Sequence, residues 1–184
     1  MALVASIHVD SGWQLPDMLL TDVKGRAVAL HNCLGEKGLV VAFTCNHCPY
    51  AIAVWPRLVR HAAILKAMGI NTIAVNPNIH PDYPADGVPA MAEKIIEWSI
   101  DFPYLADEDQ AVAHAFDAQC TPDLYMFDGD GKLYYHGRID DYWKDENKVS
   151  NEELLPAAAA LVAGEPAPQP QHPTIGCSIK WIDA

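Results

Sequence analysis

The stretch Leu39-Val-Val-Ala-Phe-Thr-Cys-Asn-His-Cys-Pro-Tyr50 joins an apolar run to two cysteines three positions apart. A continuous run of large apolar residues is typical of a strand that is buried on both faces of a sheet. After the cysteines, apolar residues recur at helical spacing, and Gly69 stands where a left-handed cap would end the helix. The stretch therefore predicts a strand, a turn that carries Cys45 and Cys48, and a helix.

The rest of the chain predicts further strands and helices around this unit. The expected elements, in chain order, are a strand over 70–75, a loop over 76–89, a helix around 91–98, a helix that starts near Asp107 and Gln110, a hairpin about Asp128-Gly-Asp-Gly131, and a helix over 154–162 behind a capping-box pattern of Ser150 and Glu153. Strands that alternate with helices and end in a hairpin indicate an α/β fold. We expect a central mixed sheet flanked by helices on both faces.

The length of 184 residues, about half of them apolar, predicts one domain with a single core. Residues 1–163 form this domain, beginning with an N-terminal extension. Residues 164–184 follow as a proline-rich arm, extended and packed on or near the same domain. Prolines are too frequent over 164–173 for a regular helix or strand.

The formal net charge of -12 argues against nucleic acid and against an anionic membrane surface as partners. No apolar run approaches the ~20 residues of a membrane-spanning helix. The first residues, Met1 to Trp13, lack the basic start of a secretory signal. These features predict a cytoplasmic protein.

Five cysteines, an odd number, do not resemble the paired disulfides of a small secreted domain. Cys33 is expected to be a plain core thiol. Cys45 and Cys48 have three interpretations: a redox dithiol, half of a metal site, or two inert core thiols. A structural zinc site needs four ligands, and Cys120, Cys177 or His172 would complete one only by chance of folding. The position between a buried strand and a helix favours the redox dithiol.

The chemistry expected of this dithiol follows from its place at the start of a helix. The unpaired N–H groups and the dipole of the helix stabilise a thiolate, so we expect a lowered pKa for Cys45. A protonated His47 would lower the pKa further. Cys48, one turn on, is expected to be more buried and to keep a higher pKa. Cys45 would then form the mixed disulfide and Cys48 would resolve it, with no metal or cofactor.

The motif Gln119-Cys-Thr-Pro-Asp123 lies about seventy residues after the dithiol and before the hairpin. A C-x-x-C pair at a strand–helix junction, followed at this distance by Thr121-Pro122, resembles the thioredoxin superfamily. The stretches Gly12-Trp-Gln-Leu-Pro-Asp17, Thr44-Cys-Asn-His-Cys-Pro-Tyr50, Cys120-Thr-Pro-Asp123 and Ile175-Gly-Cys-Ser-Ile-Lys-Trp181 resemble more closely a bacterial subgroup of the redoxin class, the alkyl hydroperoxide reductase and thiol-specific antioxidant proteins. This resemblance spans nearly the whole chain.

The resemblance implies a thioredoxin-like fold with Cys45 as nucleophile, Cys48 as resolving thiol and Pro122 as a cis proline. It also implies that the loop of Thr121 and Pro122 lies against the cysteines and binds the incoming peptide or disulfide. Substrates would be disulfide-containing proteins or small thiol compounds, and the electron donor would be of the thioredoxin or glutathione type.

The sequence departs from thioredoxins at three places around the dithiol. Thr44 replaces the tryptophan before the first cysteine, Asn46-His47 replaces Gly-Pro, and Leu39 replaces a buried acid. Without that acid, His47 or a residue from elsewhere must assist proton transfer. A histidine before the second cysteine resembles strongly oxidising disulfide donors. We therefore predict a reduction potential above that of thioredoxin.

Two enzymatic functions compete, and a non-enzymatic one is a third. The first is a thiol–disulfide oxidoreductase. The second is a peroxiredoxin-like peroxidase with Cys45 peroxidatic and Cys48, Cys120 or Cys177 resolving. Peroxiredoxins carry a hydroxyl three residues before the peroxidatic cysteine, where this chain has Ala42. Disulfide exchange is therefore favoured. The third is a redox-sensing or copper-handling module, since thiolates suit Cu(I).

Overall fold

The structure, a computed structural model, describes residues 3–7, 9 and 12–182. Within these residues the chain forms ten strands and four α-helices. The strands are β1 Leu3–Ala5, β2 Leu19–Asp22, β3 Ala27–Ala29, β4 Gly38–Phe43, β5 Ile70–Asn76, β6 Tyr104–Ala106, β7 Cys120–Thr121, β8 Asp123–Asp128, β9 Leu133–Gly137 and β10 Ile175–Ser178. The helices are α1 Pro49–Ala67, α2 Val88–Glu97, α3 Ala111–Ala115 and α4 Leu154–Ala163.

The larger sheet has the strand order β3-β2-β6-β5-β4-β8-β9. Strands β4, β5 and β6 run parallel, whereas β8 pairs antiparallel with β4 and continues into the hairpin with β9. The predicted α/β fold with a central mixed sheet is confirmed. In the part of the chain that the structure describes, no helix has both the length and the apolar character of a membrane span.

The central strand β4 is buried along its whole length because both faces of the sheet are covered. Its side chains alternate between two apolar clusters, as the pleat of a strand requires. Val40 and Ala42 pack in the cluster that contains residues of α1, α2 and α4. Leu39, Val41 and Phe43 pack in the cluster that contains residues of α3. The apolar run therefore forms the doubly buried strand that its composition predicts.

Helix α1 begins directly after the cysteine motif, with Cys48 at the N-cap and Pro49 as its first residue. Proline suits this position because its missing N–H would have no helical partner there. The helix continues through Pro56 to Ala67. Gly69 follows with φ +82°, the left-handed conformation expected of a glycine that ends a helix. The strand, turn and helix predicted from this stretch are all present.

Two local predictions differ from the structure. The capping box is wrong: the N–H of Ser150 donates to Asp141, and Glu153 accepts from Arg138 at 2.9 Å, so neither side chain caps α4. Tertiary partners have outcompeted the local hydrogen bonds. The loop over 76–89 is also more ordered than predicted, because Pro84–Asp86 forms a 3-10 turn between β5 and α2.

The C-terminal segment returns to the site of the cysteine motif. Strand β10 lies in the smaller sheet, of order β1-β10-β7, and runs antiparallel to both neighbours. Cys177 is opposite Thr121 on one side and Leu3 on the other. This pairing places β10 beside the segment that precedes Pro122.

Candidate active site

Cys45 and Cys48 lie in the turn between β4 and α1, and both are fully buried. The turn is held by neighbours on two sides. The N–H of Thr44 donates to the carbonyl of Val75 at 2.9 Å, and the indole N–H of Trp55 donates to the carbonyl of Cys45 at 3.2 Å. The turn is therefore anchored to β5 and to α1 of the same βαβ unit.

The Thr121–Pro122 peptide bond is cis, as the resemblance implies, and it lies against both sulfur atoms. The Oγ1 of Thr121 is 3.4 Å from the Sγ of Cys45. The Sγ of Cys48 lies 3.2 Å from the carbonyl oxygen of Thr121, to which it donates when it is protonated. The structure thus brings together the four residues that the sequence analysis connects across more than seventy positions.

Asp86 is a residue of this site that the sequence analysis did not identify. Its carboxylate is fully buried, and its Oδ1 accepts from the backbone N–H of Asn46 at 2.6 Å and of His47 at 3.2 Å. Its Oδ2 contacts the Nδ1 of His47. Burial raises the pKa of Asp86, and the His47 ring together with these N–H donors opposes that rise. The sequence predicted a loop over 76–89 but gave no sign that Asp86 reaches the cysteines.

A network of hydrogen bonds holds Asp86 and the turn together. Asn76 donates through its side chain to the carbonyl of Asp86 at 2.9 Å. The side chain of Asn46 donates to the carbonyl of Ala85 at 2.9 Å and accepts from the hydroxyl of Tyr104 at 2.9 Å. Asn46 occupies the first position between the cysteines, so the C-x-x-C turn is directly bonded to the 3-10 turn.

The imidazole of His47 lies at the outer side of this network. Its ring stacks on Tyr83, with centroids 5.2 Å apart and an interplanar angle of 17°. The Nζ of Lys180 lies 5.8 Å from the centre of the same Tyr83 ring. The loop that carries Asp86 and the C-terminal segment therefore meet over the C-x-x-C turn.

The pKa values of the two cysteines have the opposite order to the one predicted. Burial first, then the hydrogen bond with Cys48 and the charge of Asp86, raise the pKa of Cys45. The thiol of Cys45 donates to Cys48, and this bond lowers the pKa of Cys48 well below the usual range. The thiol of Cys177 and the N–H of Ala51 lower it further. Cys48 occupies the N-cap of α1, so the helix N-terminus acts on Cys48 rather than on Cys45.

The structure separates the remaining three cysteines. Cys177 packs in one buried cluster with Cys45, Cys48 and Ala51. Cys120 lies outside this cluster, and burial followed by the charge of Asp123 raises the pKa of Cys120. Cys33 donates to the carbonyl of Ala29 at 3.6 Å, at the other end of the sheet from the dithiol. Of the possible accessory thiols, Cys177 is the one that joins the C-x-x-C pair.

A metal site was not expected, because the sequence lacks a second ligand pair. Among the described residues, however, Cys45, His47 and Asp86 each offer a donor atom, and these atoms lie within 4.8 Å of one another. Thiolate, imidazole and carboxylate are ligands for zinc. His47 and Asp86 are in direct contact, so an ion bound by all three residues would have to separate these two side chains.

The chain is similar to known proteins, of which three are described. A crystal structure of an uncharacterized conserved protein from Geobacillus kaustophilus is 39% identical with a TM-score of 0.93, covering 100% of this chain and 98% of that one. A hypothetical protein from Sinorhizobium meliloti 1021 is 30% identical with a TM-score of 0.91, covering 98% and 99%. The thiol-disulfide oxidoreductase ResA of Bacillus subtilis is 22% identical over 125 residues.

The match to ResA covers 68% of this chain and 65% of that protein, slightly less than two thirds of its length. The arrangement of a mixed sheet, a C-x-x-C turn and a cis proline is thioredoxin-like, as predicted. The family model described as AhpC/TSA matches residues 11–136, a span that contains the dithiol, Asp86 and the cis proline. The chain belongs to the AhpC/TSA family, the redoxin class of the thioredoxin superfamily.

Proposed function

We propose that this protein is a thiol–disulfide oxidoreductase in which Cys45 and Cys48 exchange a disulfide with a protein or small-molecule substrate. The observation that carries this proposal is the contact of both sulfur atoms with Thr121, the residue before cis Pro122, at 3.4 and 3.2 Å. The arrangement joins an ionisable dithiol to a backbone segment that can bind an incoming disulfide. Membership of the redoxin class and the similarity to ResA support it.

The first step is the attack of Cys45 on the substrate disulfide. In the reduced protein, Cys45 and Cys48 share one proton, and the charge rests on Cys48. As Cys45 attacks, its proton moves to the sulfur of Cys48, to which it already donates. A bond forms between Cys45 and one substrate sulfur, the substrate disulfide breaks, and the other sulfur leaves as a thiolate. The local base for Cys45 is thus Cys48.

The second step is resolution of the mixed disulfide by Cys48. Cys48 gives the proton that it took from Cys45 to the substrate thiolate released in the first step, attacks the sulfur of Cys45 as a thiolate, and thereby releases the second substrate thiolate. The N–H of Ala51 and the thiol of Cys177 stabilise this thiolate. These two interactions remain after Cys45 has entered the mixed disulfide, so no buried acid at position 39 is required.

The same donors bear on the reduction potential. Groups that stabilise a thiolate favour the reduced protein, and a stabilised reduced form makes a disulfide a stronger oxidant. The donors around Cys48 therefore support a potential above that of thioredoxin, although through Cys48 rather than through Cys45 and His47. A glutathione redox buffer measures this potential directly.

An apolar cavity beside the cis proline supports a peptide substrate. It has a volume of about 140 Å³, and its lining includes Val54, Pro122, Leu124, Trp143 and Ile175. A substrate side chain next to the reacting disulfide would fit this cavity. The electron donor belongs to the thioredoxin or glutathione type in this proposal, and the expected cytoplasmic location is part of it.

Substrate access requires movement, because neither sulfur has exposed surface. The elements that cover the pair are the loop that carries Asp86 and the strand that carries Cys177. The stacking of Tyr83 on His47 and the position of Lys180 against Tyr83 connect these two elements. We therefore expect a reaction rate that depends on the opening of one of them.

Peroxide reduction is the second candidate, and one contact favours it. The hydroxyl of Thr121 contacts the sulfur of Cys45, and from this position it could form a hydrogen bond to an oxygen of a bound peroxide. The position three residues before Cys45, where peroxiredoxins carry their hydroxyl, is the buried Ala42. Disulfide exchange therefore stays the first proposal, because it needs only groups that already contact the sulfurs.

The test is stopped-flow oxidation of the reduced protein, once with a peptide disulfide and once with hydrogen peroxide. Peptide mass mapping then identifies the cysteines joined in each product. We expect fast reaction with the disulfide, slow reaction with peroxide at the rate of an ordinary thiol, and a disulfide that includes Cys48. Fast reaction with peroxide alone would replace this proposal with a peroxidase.

A further inference from the structure

Cys177 is buried against the dithiol, although it lies about 130 residues further along the chain. Its position depends on the antiparallel pairing of β10 with β7, which sets Cys177 opposite Thr121 and Ser178 opposite Cys120. Thr121 itself contacts both sulfurs of the C-x-x-C pair. The register of this small sheet therefore places a third thiol at the active site.

Gly176 explains how β10 can lie so close to the cis-proline segment. A side-chain carbon at this position would collide with the carbonyl oxygen of Thr121. Hydrogen bonds hold the strand on both sides: the N–H of Ser6 donates to the carbonyl of Thr174 at 2.8 Å, and the N–H of Ile179 donates to the carbonyl of Gln119 at 3.1 Å. The close approach of Cys177 is thus part of the folded structure.

Cys45, Cys48 and Cys177 pack in one buried cluster. The thiols of Cys45 and Cys177 both act on Cys48, whose pKa they lower. Cys48 is therefore the shared neighbour of the other two cysteines. Thiol–disulfide exchange requires an attacking sulfur that can reach one sulfur of an existing disulfide. In a Cys45–Cys48 disulfide, the sulfur within reach of Cys177 is that of Cys48.

We propose that Cys177 is a third redox cysteine, which takes over the disulfide from Cys45 after substrate turnover. The sulfur of Cys177, as a thiolate, attacks the sulfur of Cys48. A Cys48–Cys177 bond forms, the Cys45–Cys48 bond breaks, and Cys45 leaves as a thiolate that takes up the proton lost by Cys177. Two electrons pass from Cys177 to Cys45, so no external oxidant is needed.

Oxidation of the pair itself favours this transfer. In the reduced protein, burial first and then the hydrogen bond to Cys48 and its negative charge raise the pKa of Cys177. A Cys45–Cys48 disulfide carries no charge, so the contribution of Cys48 to that rise disappears. Lys180, whose charge lowers the pKa of Cys177, remains. Cys177 therefore becomes easier to ionise when a disulfide is available for attack.

The consequence is an oxidised protein whose disulfide does not include the nucleophile Cys45. With the disulfide at Cys48–Cys177, Cys45 is again a free thiol beside Thr121 and Asp86. An electron donor would then reduce a disulfide that involves the C-terminal strand. This inference rests on the proposed function, because the substrate supplies the first disulfide.

The test maps disulfides in the full-length protein after oxidation with one equivalent of diamide and, separately, of a peptide disulfide. Acid quenching, alkylation of the free thiols and peptide mass spectrometry identify the bonded cysteines. In the unmodified protein we expect Cys48–Cys177 in at least about a tenth of the molecules. The variant Cys45→Ser should form Cys48–Cys177 as its main intramolecular disulfide with diamide, and Cys177→Ser should form only Cys45–Cys48.

The control is Cys33→Ser, which removes a buried thiol far from the site and should give the same products as the unmodified protein. The proposed transfer to Cys177 is wrong if the unmodified protein contains only the Cys45–Cys48 disulfide. It is also wrong if Cys45→Ser joins Cys48 to Cys120 or forms no intramolecular disulfide. Failure of the proposed function has a different signature: diamide oxidises the protein but the peptide disulfide does not react.

Discussion

Cys45 and Cys48 are three residues apart and equally buried, yet their surroundings act on them in opposite ways. Cys45 lies near the carboxylate of Asp86, whose charge opposes ionisation of the thiol. Cys48 lies among hydrogen-bond donors, namely two thiols and the N–H of Ala51. Burial disfavours the thiolate at both positions, so the donors decide which sulfur carries the charge.

The difference shows that the start of a helix acts on one residue rather than on a whole motif. Cys48 is the N-cap of α1, beside the free N–H groups of the first helical turn, whereas Cys45 lies three residues earlier, in the turn that follows β4. The spacing of a C-x-x-C pair therefore predicts that two thiols meet. The tertiary neighbours decide which of them is ionised.

The largest effect is expected from removing either cysteine of the pair. Both Cys45→Ser and Cys48→Ser should lower catalytic turnover of a peptide disulfide by about 10³-fold or more, because neither can form the Cys45–Cys48 bond. With a single equivalent of substrate, Cys48→Ser should accumulate a mixed disulfide on Cys45. Mass spectrometry of the trapped species identifies the attacking thiol.

Cys33→Ser serves as the matched control for these variants and should keep full turnover. The Cys45→Ser variant could accumulate a mixed disulfide on Cys48 at the rate seen for Cys45 in Cys48→Ser. Cys48 would then be the nucleophile and Cys45 the resolving thiol. The low pKa of Cys48 makes this outcome chemically accessible. The trapping experiment therefore decides whether ionisation or position selects the nucleophile.

The second effect is on the pH dependence of stability. The folded protein lowers the pKa of Cys48, so the thiolate contributes stability above the unfolded pKa of about 8.5 and loses it as the pH falls. The free energy of unfolding of the reduced protein should therefore rise with pH below about 8.5, with a slope of up to about 1.4 kcal/mol per pH unit from this group.

Urea unfolding under reducing conditions at several pH values measures this slope. Cys48→Ser has no thiolate and should lose that contribution, while Cys33→Ser should keep it. The ultraviolet absorbance of the thiolate gives an independent reading. If Cys45→Ala abolishes the pH dependence of stability and Cys45→Ser preserves it, the side chain at position 45 is the hydrogen-bond donor to Cys48, since serine retains a hydroxyl. Equal slopes in the unmodified protein and in Cys48→Ser would show that Cys48 is not the ionised cysteine of the pair.

The sequence predicted one part of this comparison and not the other. The apolar run of β4 predicts a strand buried on both faces, and the helical spacing after it predicts a helix. Cys45 and Cys48 were therefore correctly placed at a strand–helix junction. Thr121-Pro122 was recognised by resemblance to a family. These features are local patterns or motifs, which a single sequence displays.

Asp86 and Cys177 were beyond such patterns for two different physical reasons. Asp86 belongs to a loop without periodicity, and its approach to Asn46 depends on a 3-10 turn that no capping or hydrophobic signal marks. Cys177 was expected on an arm near the domain, but its register opposite Thr121 depends on the pairing of β10 with β7. Because both neighbours of the dithiol arrive by tertiary contacts, the order of the two pKa values was predicted wrongly.

A third effect, smaller than the first two, is expected from neutralising the acid on the Cys45 side. Asp86→Asn keeps an oxygen that can accept from Asn46 and His47 but removes the charge that raises the pKa of Cys45. In a Cys48→Ser background, the rate of alkylation of Cys45 at pH 7 should increase several-fold. Iodoacetamide labelling followed by mass spectrometry measures it.

The matched control is Asp82→Asn, which changes an exposed acid of the same loop that bonds to its own neighbour His80 rather than to the turn. It should leave the alkylation rate of Cys45 unchanged. A decrease in the Asp86→Asn rate would show that the carboxylate promotes ionisation through His47 and outweighs its own repulsion. The sign of the change therefore tests the account of the Cys45 side.

The smallest effect is expected from Thr121→Val, which acts on one sulfur and spares the other. The hydroxyl of Thr121 contacts Cys45 and lowers its pKa, whereas the Sγ of Cys48 contacts the backbone carbonyl of the same residue, which valine retains. The alkylation rate of Cys45 should fall by a few-fold, and the thiolate absorbance of Cys48 should not change.

Thr72→Val is the control, since its buried hydroxyl has no hydrogen-bond partner among the described residues. A parallel loss at both cysteines would mean that valine moves the cis-proline segment as a whole, and equal rates in all three proteins would mean that the hydroxyl does not act on Cys45. Either result would mean that the opposite pKa shifts of Cys45 and Cys48 come from the charge of Asp86 and the donors around Cys48, without a contribution from the Thr121 hydroxyl.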